Sequence, residues 1–161
     1  MKENKIQFSF EEYADSAELN PSDAALLQKA REVTKLAYAP YSHFHVGAAA
    51  LLANGEVLSG TNQENASYPV GTCAERVLLG MTANLFPGVA IHTMAISYNS
   101  AEVKSDHPIS PCGMCRQALL EYENRLQHPI RLILGGMEGK VLVITDAAQL
   151  LPFAFTSHEL K

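Results

Sequence analysis

Three cysteines and one glutamate are the residues of this chain best suited to act together. Cys73-Ala74-Glu75-Arg76 and Pro111-Cys112-Gly113-Met114-Cys115-Arg116 contain every cysteine of the sequence. Cys112 and Cys115 are three residues apart, so on a helix they share one face. If Cys73 joins them, three thiolates can hold a divalent ion and leave the fourth corner of a tetrahedron to water. Zinc in such a site brings the pKa of its water toward roughly 7, which makes a hydroxide nucleophile at neutral pH. Glu75, two residues from a ligand, would stand beside the ion without binding it, where a proton shuttle is required. Soft thiolates favour zinc, while iron and other metals meet the same pattern.

Other uses of these residues remain open at this point. Isolated cysteines are common as small buried fillers. Cys112 and Cys115 could form a thiol redox pair, which leaves Cys73 and Glu75 without a role. A structural zinc site would need a fourth protein ligand, and His107 is the nearest spare one. His43, His45, His92, His128 and His158 show no ligand spacing to the cysteines and read as structural or solvated.

Both motifs should lie at helix N-termini, where unpaired backbone N–H groups and the helix dipole favour anions such as thiolates. Pro21-Ser22-Asp23 can start a first helix with Ser22 or Asp23 as cap, and Leu26, Ala30, Val33 and Ala37 recur at helical spacing. Pro40 stops it. Val46 to Ala53 and Glu56 to Gly60 read as strands joined at Asn54-Gly55, the strongest hairpin signal present. After a loop from Thr61 to Thr72, a second helix begins near Cys73, burying Val77, Leu78, Met81 and Leu85 and ending before Pro87. Ile91 to Tyr98 is a buried strand. Pro111 opens a third helix through about Arg125. Arg131 to Leu134 and Val141 to Thr145 are strands, and Asp146 caps a short last helix ending near Pro152. This order predicts a mixed sheet of five strands with helices on its faces.

Composition limits the function classes. At 161 residues the chain suits one domain, read as a surface-packed extension over 1–20 and a single domain over 21–161. A hydrophobic fraction of 47% with 18% charged residues is that of a soluble globular protein. No apolar run approaches the roughly 20 residues that span a bilayer, and no signal core follows Met1-Lys2-Glu3, so the expected location is the cytoplasm. A net charge of −5 with scattered basic residues argues against gripping a phosphate backbone. A small, uncharged substrate fits better. An odd cysteine count is no disulfide framework.

Cys-Ala-Glu followed by Pro-Cys-x-x-Cys matches the three-cysteine form of the zinc deaminase signature. Around it the chain resembles the homotetrameric cytidine deaminases, from about Leu26 to the C-terminus. Tyr41-Ser42-His43-Phe44-His45-Val46-Gly47-Ala48 is similar to that family's Tyr-Ser-x-Phe-x-Val-Gly-Ala segment. Asn62-Gln63-Glu64-Asn65-Ala66 is similar to its Asn-x-Glu-Asn-Ala ribose loop, and Leu150-Leu151-Pro152-Phe153-Ala154-Phe155 to its ending. Thr72 stands where many members carry a further cysteine, and residues before Pro21 have no counterpart.

The resemblance implies a three-layer α/β/α fold and hydrolysis of cytidine and 2′-deoxycytidine in pyrimidine salvage, with one zinc per subunit. It assigns Cys73, Cys112 and Cys115 to zinc and Glu75 to proton transfer. Asn62 and Glu64 would bind the ribose 3′-hydroxyl. Phe44 would pack on the pyrimidine, and the backbone of Ala66 and Ala74 would hold the base. Tyr68 and Phe155 would arrive from neighbouring subunits. Arg76 would hydrogen-bond the cysteine sulfurs and withdraw charge from them. Blasticidin-S-type deaminases share the zinc motif but lack the Asn-x-Glu-Asn loop.

Overall fold

Alternation along the central strands divides the interior into two. Ala48, Ala50 and Leu52, Met94 and Ile96, and Leu132 and Leu134 face one side, whereas Ala49, Ala95 and Ile133 face the other. A sheet apolar on both faces must be covered on both. The computed structural model, which describes residues 1–160, has this architecture. Its elements are β1 (Glu11–Tyr13), α1 (Pro21–Val33), β2 (Phe44–Leu52), β3 (Val57–Thr61), α2 (Ala74–Leu85), β4 (Ile91–Ser100), α3 (Gly113–Leu126), β5 (Arg131–Gly135) and β6 (Val141–Ile144). The strand order is β1-β6-β5-β4-β2-β3. Only β4 and β5 run parallel, joined through α3; the other neighbours are antiparallel. Leu26, Leu27 and Ala30 of α1 cover one face. Leu78 and Leu79 of α2 and Leu119 and Tyr122 of α3 cover the other. The fold is a three-layer α/β/α sandwich on a mixed sheet, and no described helix is long and apolar enough to cross a membrane.

The sheet has six strands rather than five. The extra strand, Glu11–Tyr13, lies in the segment expected to pack as an extension and pairs with β6 through Glu11↔Val143 and Tyr13↔Val141. Glu-Glu-Tyr is too short and polar to show alternation; what recruits it is the unpaired edge of β6. The cap of α1 also moves. Asn20 Oδ1 accepts from Asp23 N at 3.0 Å with Pro21 in the first turn, so Ser22 and Asp23 are helical. Asp23 instead receives both Nη atoms of Arg131, at 2.8 and 2.7 Å, which ties α1 to β5. The expected last helix is a single 3₁₀ turn, Ala147–Leu150, capped by Asp146. The hairpin forms at Asn54-Gly55, with Gly55 at φ 87°, a left-handed conformation that suits glycine.

Two features position the site. Gly60 on β3 lets α2 approach closely: a Cβ there would lie 2.9 Å from Leu78 N and 3.0 Å from Ala74 O. Gly60→Ala should therefore push α2 off the sheet and cost about 1–3 kcal/mol, read as a lower urea midpoint at unchanged slope. At the far end of α3, the buried carboxylate of Glu123 accepts from Ile130 N at 2.7 Å and Ala147 N at 3.2 Å. Burial, reinforced by the charge of Asp146, raises its pKa to about 7. The folded chain thus keeps a proton that the unfolded chain has released between the ordinary carboxylate range and about pH 7. Stability falls with rising pH across that window and is flat above it. Glu123→Gln keeps the acceptor oxygen, and its melting temperature should drop less than the parent's between pH 5 and pH 8.

Candidate active site

Two helix starts meet on one face of the sheet. Cys73 is the N-cap of α2 and Cys112 the N-cap of α3, both extended, and neither side chain is used in capping. Cys115 follows in the first turn of α3. Cys73 Sγ lies 3.7 Å from Cys112 Sγ, and Cys112 Sγ lies 3.5 Å from Cys115 Sγ. All three sulfurs fall within 4.8 Å of one another. A disulfide needs about 2.05 Å. Tetrahedral zinc with bonds of about 2.3 Å holds its sulfurs about 3.8 Å apart, which this cluster matches. Among the described residues no fourth His, Cys, Asp or Glu joins the group. His107 is engaged with Asp106 and the Tyr98 hydroxyl instead. The donor set therefore fits a three-thiolate zinc with one corner left for a small molecule.

A cleft of about 400 Å³ opens beside Cys73. Gln63 and Thr72, in its lining, pair through their backbones immediately before Cys73, Gln63 N to Thr72 O at 2.8 Å and Thr72 N to Gln63 O at 2.9 Å. Asn62, Glu64, Tyr68, Tyr41, Ser42 and Met114 are among its walls. The Asn62 amide is held at both ends: Oδ1 accepts from Val46 N at 2.7 Å, and Nδ2 donates to Phe44 O at 2.9 Å. Glu64 accepts from Tyr41 N at 2.9 Å, Ser42 N at 3.3 Å and the Ser42 hydroxyl. That hydroxyl, above all, holds the Glu64 pKa below the usual carboxylate value.

The model of the cytidine and deoxycytidylate deaminase zinc-binding region matches residues 20–127. The chain belongs to this family. It is 35% identical to the cytidine deaminase of Halalkalibacterium halodurans over 136 residues, covering 84% of this chain and 96% of that one. The crystal structure of cytidine deaminase from Burkholderia pseudomallei superposes with a TM-score of 0.70 at 39% identity, covering 81% of this chain and 97% of that one. The blasticidin-S deaminase of Bacillus cereus is 30% identical over 142 residues, 87% of this chain and 96% of that one. As a member of the cytidine and deoxycytidylate deaminases, the chain is a zinc-dependent hydrolytic deaminase. It carries one zinc per subunit, for which the Cys73, Cys112 and Cys115 cluster is the matching donor set.

In this deaminase the charge distribution around the cluster is uneven. Cys73 is lowered to about 6, chiefly by hydrogen bonding from Cys115, with Cys112 and the Arg76 guanidinium adding to it. Cys115 is raised, by its hydrogen bond to Cys73, by burial and by the nearby Glu75 charge. Loading zinc must displace that proton. Glu75 is 5% exposed in the first turn of α2. Burial and then the negative Cys73 raise its pKa, while its own backbone N–H, Cys115 and Arg76 oppose the rise.

The remaining expected residues divide into two groups. Ala74 is buried at the start of α2, and Asn62, Glu64 and Tyr68 line the cleft, Tyr68 at 92% exposure. Phe44 stacks on Tyr98, with centroids 4.9 Å apart and planes at 17°. Ala66 sits in an exposed turn, and Phe155 is exposed with its carbonyl accepting from Gln117 Nε2. These three, and Ala74 with them, lie outside the cleft lining of a single chain. Arg76 Nη1 rests 4.0 Å from Met114 Sδ and acts on Cys73 through its charge. Sequence reasoning missed Ser42 as the partner of Glu64, Tyr98 as the support of Phe44, and Met114 as a cleft wall.

Because the folded cluster gathers three thiolates that the unfolded chain holds apart, it binds zinc more tightly, and removing the ion should lower stability. Dialysis against a strong chelator should reduce the melting temperature by about 2–4 °C per kcal/mol of binding energy lost in a chain of this size. Cys115→Ala, which also loses the packing of a fully buried sulfur, should melt at or below the chelated parent and retain no zinc by elemental analysis.

Proposed function

We propose that this chain deaminates cytidine and 2′-deoxycytidine, adding water and releasing ammonia to give uridine and 2′-deoxyuridine, as a cytoplasmic enzyme of pyrimidine salvage. The observation that carries the reading is the buried Glu75 carboxyl beside three convergent sulfurs, one of which, that of Cys73, belongs to the lining of a cleft walled by Asn62 and Glu64. When bound, zinc acts as a Lewis acid on water, bringing its pKa toward about 7. Glu75 accepts one proton of the attacking water and delivers it to N3 of the base, then takes the second proton from the hydroxyl newly bonded to C4 and gives it to the departing amine, so that the C4 carbonyl forms as ammonia leaves. A carboxyl whose pKa is raised by burial is suited to both acceptance and return at neutral pH. Arg76 draws charge from the thiolates, which otherwise leave the ion with a net negative charge and weaken its pull on water.

The sugar is read by Asn62 and Glu64. One hydrogen of Asn62 Nδ2 stays available after its bond to Phe44 O, and the Glu64 carboxylate, kept ionised, accepts from a hydroxyl. Phe44, backed by Tyr98, packs against the pyrimidine. Ala66 and Ala74 contribute backbone contacts to the base. Tyr68 and Phe155, both exposed in the single chain, complete the site of a neighbouring subunit in a homotetramer.

Glu75→Gln should keep its zinc while turnover falls by about 10²–10⁴-fold, the usual worth of a positioned acid–base group; retained turnover would remove Glu75 from the mechanism. The likeness to blasticidin-S deaminase supplies a second reading, which the Asn62-x-Glu64 pair disfavours. Following loss of ultraviolet absorbance with cytidine, cytosine and blasticidin S separates them. Cytidine should be processed far more efficiently than the sugarless base, and a preference for blasticidin S would sink the nucleoside reading.

A further inference from the structure

At the end of α3 opposite the cysteines, two imidazoles come together. His92 is the second residue of β4, and His128 follows Gln127, which ends α3 in the left-handed conformation at φ 53°. That turn brings the His128 ring over β4, so that His92 Nδ1 and His128 Nε2 lie 3.1 Å apart. We propose that His92 and His128 form a two-histidine chelate for a divalent first-row transition cation, separate from the catalytic zinc.

The separation of the two nitrogens is the first argument. With metal–nitrogen bonds of about 2.1 Å, adjacent ligands on one ion sit about 3.0–3.4 Å apart, in octahedral or tetrahedral geometry. The ring centroids are 4.7 Å apart with planes at 53°, closer than two rings meeting head-on would lie. The nitrogens therefore approach at an angle, as two ligands of one ion do. A second argument is the tautomer. His128 Nδ1 lies 2.7 Å from Pro129 O, and a carbonyl only accepts, so Nδ1 carries the proton and the Nε2 lone pair faces His92. A backbone carbonyl on the far nitrogen is the arrangement that orients metal-binding histidines. Without a cation, His92 Nδ1–H donates to that lone pair. With one, His92 carries its proton on Nε2 instead and turns its own Nδ1 lone pair to the ion, with no net change in protons.

Location adds a third argument. The unpaired carbonyls at the end of a helix favour positive charge nearby. Helix α3 has 14 residues and spans about 21 Å, which separates this pair from Cys112 and Cys115 at its other end. Two imidazoles with water in the remaining positions suit Ni²⁺, Cu²⁺ or Zn²⁺, whereas Mg²⁺ and Ca²⁺ require oxygen ligands. The bound ion would link the start of a central strand to the exit of α3.

Untagged, zinc-loaded protein titrated with Ni²⁺ by calorimetry tests the assignment. One saturable equivalent is expected, unaffected by Mg²⁺, with a rise in melting temperature. His92→Gln and His128→Gln should each weaken binding by roughly tenfold or more, with zinc content and deamination unchanged and the melting temperature no longer rising with Ni²⁺. If one variant folds poorly, the other carries the comparison. Absence of saturable binding overturns the proposal, as does binding by both variants as tight as the parent's. Appearance of thiolate-to-nickel absorption does so too, because it would place the ion on the cysteines.

Discussion

The meeting of two helix starts is the constraint on which the rest of the molecule depends. Cys73 and Cys112 each occupy an N-cap, where backbone N–H groups lack partners and the dipole favours negative charge. Three thiolates crowded within a few ångströms repel one another, and a divalent cation together with these dipoles offsets the repulsion. The sheet exists, in functional terms, to hold those starts in register. Gly60 allows α2 to settle on β3, the parallel β4–β5 crossover fixes the course of α3, and the Gln63–Thr72 pair closes the loop directly before the first ligand.

The metal set was legible in the sequence because chemistry restricts both residue type and spacing: few arrangements other than a metal centre use every cysteine and place a glutamate two residues from one. The three-layer architecture followed from alternating strands with helices between them. Other features left weak traces. Glu11–Tyr13 joins the sheet because an edge needs covering, a cause that lies 130 residues away in β6. Asn20, Ser22 and Asp23 all have capping side chains, and only the pyrrolidine of Pro21, preset for a first turn, singles out Asn20.

The cleft was harder to read for a related reason. Its walls are contacts between segments some twenty residues apart, such as Glu64 with Tyr41 and Ser42. No local pattern encodes these. Phe44 was recognisable by resemblance, yet the ring that supports it, Tyr98, looked like any other residue of a buried strand. Tyr68 and Phe155 stand out to solvent in the single chain, and Tyr68 also lines that chain's own cleft. The histidines had no cysteine-related spacing, and it is the reversal of the chain after Gln127 that brings two of them together.

The Asn62 amide is clamped to Phe44 and Val46 before any ligand arrives. Its rotamer freedom, which an unanchored side chain would surrender on binding, has already been given up during folding. On the proposed reading, a hydroxyl that docks there meets an immobile partner, so selectivity at this wall comes from stiffness set in advance rather than from adjustment around the guest.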